Sequence, residues 1–333
     1  MEIKLTTAQS LIPPLYYELS KVKENELQYK YYKVRHPGAI FNIHFSDIVS
    51  AFNQLFITVN NLQAIGEVCS DEDMKKLRLE TLNFLFHLMR YFESGYEIFL
   101  CFCSQLKKPA ENQPLSQWFR KSKYNNDVKL YFDNIDSILG IYRKFFNYLK
   151  HSSNQIMIFQ FIKPDNSGKT LGFYLEGVDN KGVIGPVEVL HPQHNGCYTV
   201  WSYNFHLSNF YYLIYKIALE IEETIKKLCI ANNISLDNMP TPLVATNTET
   251  LIKDAFTNAR RLISSVNFYY EQEIGKKIKS VSISPNNDQL VFSDYEITES
   301  KIMPRGSIAN FVSMGDGFSR SWSLIYFKGE NKK

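Results

Sequence analysis

The segment NDVKLYFDNIDSILGIYRKFFNYLKHSSN, residues 126–154, is the longest strongly periodic stretch of this chain. Its apolar residues recur at steps of three and four, the spacing of one face of an α-helix. These residues are Val128, Tyr131, Phe132, Ile135, Ile138, Leu139, Tyr142, Phe146 and Leu149. Asn125, Asn126 and Asp127 supply capping groups at the start. The sequence therefore predicts a long packed helix that closes the N-terminal half of the chain.

Further helices are predicted on the N-terminal side of this segment. N-cap residues followed by an apolar row predict a helix from Ser46 to about Gly66. A run of acidic residues and a second apolar row predict another helix over about 72–106. Residues 115–120 fit a short helical turn, whereas residues 29–35 alternate loosely and suggest a short strand or an irregular arm. Three long antiparallel helices are the simplest arrangement.

The periodicity changes to that of β-strands after Asn154. Two stretches rich in β-forming residues, 156–162 and 171–175, flank a Pro-Asp-Asn-Ser-Gly turn and predict a hairpin. Helical spacing returns at residues 205–230 and again from Thr248, and short β patterns follow residue 279.

These elements predict an α+β fold with two parts. Residues 1–154 form a mainly helical domain, an N-terminal helical bundle. Residues 155–333 form an α+β domain in which two long helices pack on antiparallel strands.

Composition limits the classes of protein to which the chain belongs. With 333 residues, 44% hydrophobic, it is long enough for a sizeable core. The formal net charge of +3 creates no global field toward nucleic acid. We expect no signal peptide and no membrane span, because no apolar run reaches the roughly 18 residues that a spanning helix needs. Five cysteines, an odd number, indicate reduced thiols, so we expect a cytoplasmic protein.

The end of the periodic segment carries a polar cluster. Asn147 and His151 are four residues apart, so their side chains project from the same face of a helix. With Phe145, Leu149 and the serines at 152–153, they make this helix end resemble the signature of HEPN-type helical domains, over about residues 45–154. In ribonuclease members of that family the signature is Arg-Asn-x-x-x-His. The arginine and the histidine act there on RNA without a metal.

The resemblance implies roles for individual residues of this chain. Asn147 and His151 match the family pattern, but Phe146 occupies the arginine position. Arg143, about one turn earlier, is the nearest substitute. The implied catalytic set is therefore His151 as general acid and base, Asn147, and Arg143 stabilising the phosphate.

Other polar residues are candidates for contact with a partner. His87, Arg90, Glu97 and Cys101 share the helical face opposite the apolar row. A salt-bridged exterior face is the favoured interpretation, and the alternative is a site in which this face meets Asn147 and His151 across the helix pair. Lys150, Arg260 and Arg261 are further candidates for contact with a protein partner or RNA.

A metal site is the weaker interpretation of the remaining histidines. His191, His194 and Cys197 have H-x-x-H-x-x-C spacing, and His206 offers a fourth ligand for zinc. No paired C-x-x-C accompanies them. We therefore expect neither a metal nor a cofactor.

The sequence by itself does not determine the function, but it favours one class. We expect a non-catalytic interaction protein with a HEPN-like core that contacts a protein or RNA, or a second copy through the helical domain. The resemblance implies a setting of microbial stress, toxin–antitoxin systems or phage defence. The alternative is a metal-independent RNA endonuclease that uses His151 and Arg143.

Overall fold

The computed structural model describes most of the chain. The described residues are 3–6, 11–64, 67–104, 108–110, 113–151, 153–162, 169–178, 182–191, 198–235, 246–264, 279–286, 289–296, 300–302, 307–308, 322–323 and 325–327. They form an α+β fold with N-terminal helices, as predicted. The helices are α1 (Leu15–Ser20), α2 (Tyr29–Tyr32), α3 (Pro37–Ala64), α4 (Asp71–Phe102), α5 (Leu115–Arg120), α6 (Asn125–His151), α7 (Tyr203–Ala231) and α8 (Thr246–Ser264).

The first long helix, α3, begins nine residues before the predicted start at Ser46. Pro37 is its first residue, and proline suits this position because the first N–H of a helix has no intrahelical acceptor. Ser46 is consequently inside the helix, where its hydroxyl donates to the carbonyl of Ile43 at 3.0 Å. At residues 29–35 no strand is present: α2 occupies residues 29–32, and only residues 33–35 are irregular.

The second long helix, α4, starts close to the predicted position. Ser70 is its N-cap: the Asp73 N–H donates to the serine hydroxyl, and the Asp73 carboxylate accepts from the Ser70 N–H at 3.2 Å. This reciprocal arrangement is a capping box. The short helix α5 has the predicted boundaries, and α6 covers the periodic segment through His151.

The strands form several small sheets. They are β1 (Ile3–Thr6), β2 (Gln155–Ile162), β3 (Lys169–Val178), β4 (Ile184–Pro186), β5 (Tyr198–Thr199), β6 (Trp201–Ser202), β7 (Lys279–Asn286), β8 (Gln289–Glu296), β9 (Ser300–Ile302), β10 (Ser307–Ile308), β11 (Trp322–Ser323) and β12 (Ile325–Phe327). The largest sheet has the order β10-β2-β3-β4, with β6 also paired to β3. The hairpin of β2 and β3 is antiparallel, with Gln155 opposite Glu176, which confirms that prediction. A second sheet has the order β1-β8-β7.

The helix α7 lies at the centre of the molecule. Its Tyr211 ring packs on Phe52 of α3 at 5.2 Å. Its Phe210 ring packs on Phe84 of α4 at 4.4 Å and on Tyr142 of α6 at 4.8 Å. A helix that is apolar around most of its circumference is buried on most sides. The core is therefore continuous across residue 154.

A hydrogen bond from α6 to a buried ion pair of α7 also joins these two helices. Lys216 Nζ lies 2.5 Å from Glu220 Oε1, and both side chains are at most 10% exposed. Asn134 of α6 donates its Nδ2–H to the other oxygen of Glu220 at 2.8 Å. The two charges are thus paired and hydrogen-bonded, the condition under which a buried charge is tolerated.

The last long helix, α8, packs mainly on α3. Asn53 of α3 donates to the carbonyl of Leu251 at 3.0 Å and accepts from Asn258 Nδ2 at 2.9 Å. Both α7 and α8 also touch strands, α7 at β3, β6 and β7 and α8 at β7. The predicted packing of the two helices on strands is therefore a minor part of their surroundings.

Candidate functional site

The outer surface of α3 and α4 carries a cluster of ionisable side chains. On α4, His87, Arg90, Glu93 and Glu97 recur at three- and four-residue steps and project from one side. On α3, His44 and Asp47 are three residues apart. Arg35, in the segment that leads into α3, completes the group. We name these residues, Arg35, His44, Asp47, His87, Arg90, Glu93 and Glu97, the arginine–histidine face.

Contacts across the two helices hold this face together. His87 Nδ1 lies 4.0 Å from Asp47 Oδ2, with the two side chains 25% and 46% exposed. The segment before α3 is fixed to α4, because the Cys101 thiol donates to the Arg35 carbonyl at 3.7 Å. Burial raises the pKa of the Cys101 thiol, which makes this cysteine a structural residue and not a nucleophile.

The half-buried side chains of the face respond to their surroundings. Burial lowers the pKa of His44, and the nearby Arg90 charge lowers it further. His44 is therefore neutral near pH 7. Burial raises the pKa of Glu97, while Arg90 and Arg35 act in the opposite direction. The charges of both arginines thus act on both His44 and Glu97, although these two groups are on different helices.

Neither arginine of this face is neutralised by a direct partner. Arg35 and Arg90 are both exposed. Across the described part of the chain, neither guanidinium has a carboxylate within 4.0 Å. Each keeps its planar set of N–H donors for an external carboxylate or phosphate. Each guanidinium is therefore available to an external anionic group.

Arg143, the candidate catalytic arginine, has a different partner. Its Nη2 lies 2.7 Å from Asp136 Oδ1, and its guanidinium stacks 4.6 Å from the centre of the Phe132 ring. Both partners precede Arg143 in α6, so the side chain points away from the helix end that carries His151. Asn147 and Lys150 are exposed there, and the side chain of His151 is outside the described residues. The structure does not bring Arg143 to this polar cluster.

The face of α4 that carries Arg90 and Glu97 does not meet Asn147. The rings of Phe92 and Phe99 lie 5.1 and 5.0 Å from the ring of Tyr131 on α6. These two residues are about 200° and 180° around the α4 helix from Arg90. Because α6 packs on this opposite side of α4, Arg90 and Glu97 face away from it. The described residues therefore do not form the alternative joint site across the helix pair.

Two of the four proposed zinc ligands are deeply buried. The Leu175 N–H donates to His191 Nε2 at 3.0 Å, and the Tyr142 hydroxyl lies 2.7 Å from His206 Nδ1. The Trp201 ring contacts both imidazoles, at 5.1 and 4.8 Å. Burial lowers the pKa of each histidine to about 3. These histidines are neutral packing residues.

The remaining two zinc candidates, His194 and Cys197, lie outside the described residues. In the described part, no group of three His, Cys, Asp or Glu side chains is arranged to hold a metal ion.

Arg260 and Arg261 belong to another surface, on α8. The guanidinium of Arg260 lies 5.9 Å from the centre of the Phe256 ring, and Arg261 is exposed. They are carried by a helix that packs mainly on α3.

Sequence reasoning missed Arg35, His44 and Asp47 as members of a site. The reason is the misplaced start of α3, which left His44 outside any predicted helix. The available signal was Pro37, since proline is favoured in the first turn of a helix. A helix from Pro37 places His44 and Asp47 on one side, one turn apart.

Comparison with protein-family models, curated proteins and solved structures finds no significant match to this chain. Among the helices that the structure describes, none has a stretch long and apolar enough to cross a membrane.

Proposed function

We propose that this chain is a non-catalytic interaction protein with a HEPN-like helical core, which binds a protein partner through the arginine–histidine face. The observation that carries the proposal is the pair of exposed guanidiniums of Arg35 and Arg90. The charge of each arginine lowers the pKa of both His44 and Glu97. Among the described residues, neither guanidinium is bound to a carboxylate. Charges left without a direct partner on a rigid helical surface favour recognition of an external anionic group.

The charge balance favours protein over RNA as the partner. The face has two arginines but also three carboxylates, Asp47, Glu93 and Glu97. Binding to nucleic acid relies on an excess of cations along the phosphate backbone. A mixed pattern is typical of the polar rim of a protein interface. The expected contact is therefore a protein surface of mixed charge that places a carboxylate against the arginines.

The HEPN-like assignment remains part of the proposal. It is supported by the helical structure of α3, α4 and α6 across residues 45–151 and by the Asn147 and His151 spacing. If it is correct, the setting is microbial stress response, a toxin–antitoxin pair or phage defence.

The proposal is tested by recovering partners from cells that naturally express the protein. Wild type is compared with an Arg35→Glu/Arg90→Glu variant and with a Lys129→Glu/Lys144→Glu control. The control reverses two exposed lysines on α6, so the change in net charge is the same. Bound proteins are quantified by mass spectrometry, with and without ribonuclease treatment.

We expect one protein to be recovered in stoichiometric yield with wild type and with the control. The yield should fall at least about tenfold with the arginine variant, because repulsion replaces attraction at the contact. Equal yields with all three proteins would contradict the assigned surface. Loss of binding after ribonuclease treatment would show that the partner is RNA. A second copy of this chain as the recovered protein would show a homodimer.

A further inference from the structure

A pocket of about 170 Å³ lies between α3, α7 and α8, on a different surface from the arginine–histidine face. Its apolar walls are Phe56, Val59, Leu207 and Leu262, all at most 4% exposed. The lining also includes the exposed Asn60 and Ala64, which mark the mouth. The pocket is therefore open to solvent and has mainly apolar walls.

The polar part of the pocket consists of two carboxamides. Gln63 of α3 is 9% exposed and Asn204 of α7 is 2% exposed. Gln63 Nε2 donates to Asn204 Oδ1 at 3.1 Å, which fixes the orientation of the Gln63 amide. An amide has two N–H donors and one carbonyl acceptor, so one N–H and the carbonyl of Gln63 remain. Within the described chain, no group donates a hydrogen bond to that carbonyl.

The dimensions of the pocket limit its ligand to a single ring. A protein cavity of about 150 Å³ accommodates a benzene molecule, and sites for drug-sized ligands are larger, at roughly 300 Å³ or more. The Phe56 ring in the wall favours a flat, unsaturated ligand. None of the lining residues is ionisable, so a charged group would be desolvated without a partner.

The remaining N–H and the carbonyl of Gln63 determine which hydrogen-bonding groups the ligand must carry. A carboxamide pairs through two hydrogen bonds with a group that presents an adjacent N–H and C=O, in the way that glutamine and asparagine side chains read base edges. We propose that this pocket binds a neutral, planar, pyrimidine-sized ring with a lactam edge, held by Gln63. The chemistry fits both a free pyrimidine and a pyrimidine base of a nucleotide or an RNA.

The test uses uracil as the probe with the full-length protein, and binding is measured by ligand-observed NMR and by calorimetry. We expect saturable binding with a Kd on the order of 1 mM, as ligand efficiency allows for so small a molecule. Two comparison ligands separate the contributions. 1,3-Dimethyluracil keeps the ring but has no N–H, and benzene has only apolar surface.

Two substitutions of glutamine by leucine provide the matched variants. Gln63→Leu removes the amide in the pocket, whereas Gln54→Leu makes the same change at an exposed position of α3. We expect uracil binding to weaken about tenfold or more in Gln63→Leu and to remain in Gln54→Leu. If Gln63→Leu does not fold, Gln63→Met is used, since methionine is close to glutamine in length. Thermal unfolding of each variant verifies the fold.

The outcomes are distinct. Failure of wild type to bind uracil would overturn the proposal, and so would equal binding of 1,3-dimethyluracil or benzene, which would show a plain apolar cavity. Uridine 5′-monophosphate and an oligouridylate identify the source of the ring. Tighter binding of the oligonucleotide than of uracil supports a base of RNA, and binding of uracil alone supports a free pyrimidine. The arginine variant of the interaction face retains the pocket, so the two proposals fail independently.

Discussion

Burial determines the protonation state of His191 and His206. Both are packed around Trp201, and burial lowers the pKa of each to about 3. A depressed pKa means that the folded protein resists protonation while the unfolded chain accepts it near pH 6.5. The stability that the two neutral histidines contribute is therefore present above about pH 6.5 and is lost progressively as the pH falls toward 3.

This linkage predicts the pH dependence of unfolding. Between pH 7 and pH 5 each histidine should remove about 2 kcal/mol from the free energy of unfolding. In His206→Gln, the free energy of unfolding should fall less steeply as the pH is lowered, because unfolding takes up one proton fewer. Urea unfolding at pH 7, 6 and 5 measures the slopes. Parallel slopes for wild type and variant would show that His206 already titrates in the folded state.

Arg143 leads to a second prediction at the residue scale. Its guanidinium is bound to Asp136 at 2.7 Å and stacked on Phe132, so it is not positioned to stabilise a phosphate at the end of α6. We expect wild type, His151→Ala and Arg143→Ala to give the same products from a mixed RNA pool. Sequencing of the RNA ends is the measurement. Products that disappear in both variants would establish the endonuclease alternative.

At the scale of the elements, α4 and α6 are in close contact at Gly95. A Cβ atom on this residue would lie 2.6 Å from the Tyr131 hydroxyl oxygen and 2.8 Å from its ring carbon Cζ. Tyr131 is fully buried, and its hydroxyl donates to the Phe92 carbonyl at 2.6 Å. Tyr131 therefore cannot move away from a Cβ atom at position 95 without disturbing this hydrogen bond or the packing around its ring. The glycine is therefore required by the packing of the two helices.

We expect Gly95→Ala to lower the free energy of unfolding by about 1–3 kcal/mol, the usual cost of overpacking a core. Gly140→Ala is the control, because its nearest neighbour at 3.0 Å is the Asp136 carboxylate, a 38% exposed group that can shift by a few tenths of an ångström together with the Arg143 guanidinium that it binds. Alanine there should be neutral or stabilising by up to about 1 kcal/mol. Chemical denaturation compares the two, and a stabilised Gly95→Ala would contradict the described crossing.

The elements also show which features the sequence could predict. The boundaries of α5 and α6 and the hairpin of β2 and β3 follow from local periodicity and turn residues, so they were predicted closely. The start of α3 was missed because Ser46 has capping chemistry in the wrong place. The central role of α7 depends on contacts with α3, α4 and α6, which are distant in sequence. For the same reason, the grouping of Arg35 with His44 and Arg90 was not predicted.

At the scale of the whole molecule, the core joins the two predicted parts. Phe52, Phe84 and Tyr142 of the N-terminal part all contact rings of α7, which belongs to the C-terminal part. The division at residue 154 therefore cuts through packed side chains. The division into two domains stays a prediction. Unfolding of a fragment can test whether the N-terminal part folds without the rest.

We expect a fragment of residues 1–154 to lack a cooperative unfolding transition, because removal of α7 exposes the apolar faces of three helices. Near-ultraviolet circular dichroism and thermal melting are compared with those of the full chain. The fragment should keep helical signal without fixed tertiary packing and should bind a hydrophobic dye. A sharp melting transition of the fragment would show that the N-terminal part folds alone.

Site-specific photo-crosslinking tests whether the arginine–histidine face binds a protein. A photoreactive residue replaces Glu93, which leaves Arg35 and Arg90 intact, and a control protein carries it at the exposed Lys144 of α6. In cells that naturally express the protein, we expect one crosslinked protein from position 93 and none from position 144. Crosslinking from position 144 alone, or to RNA at position 93, would contradict the assignment of this face.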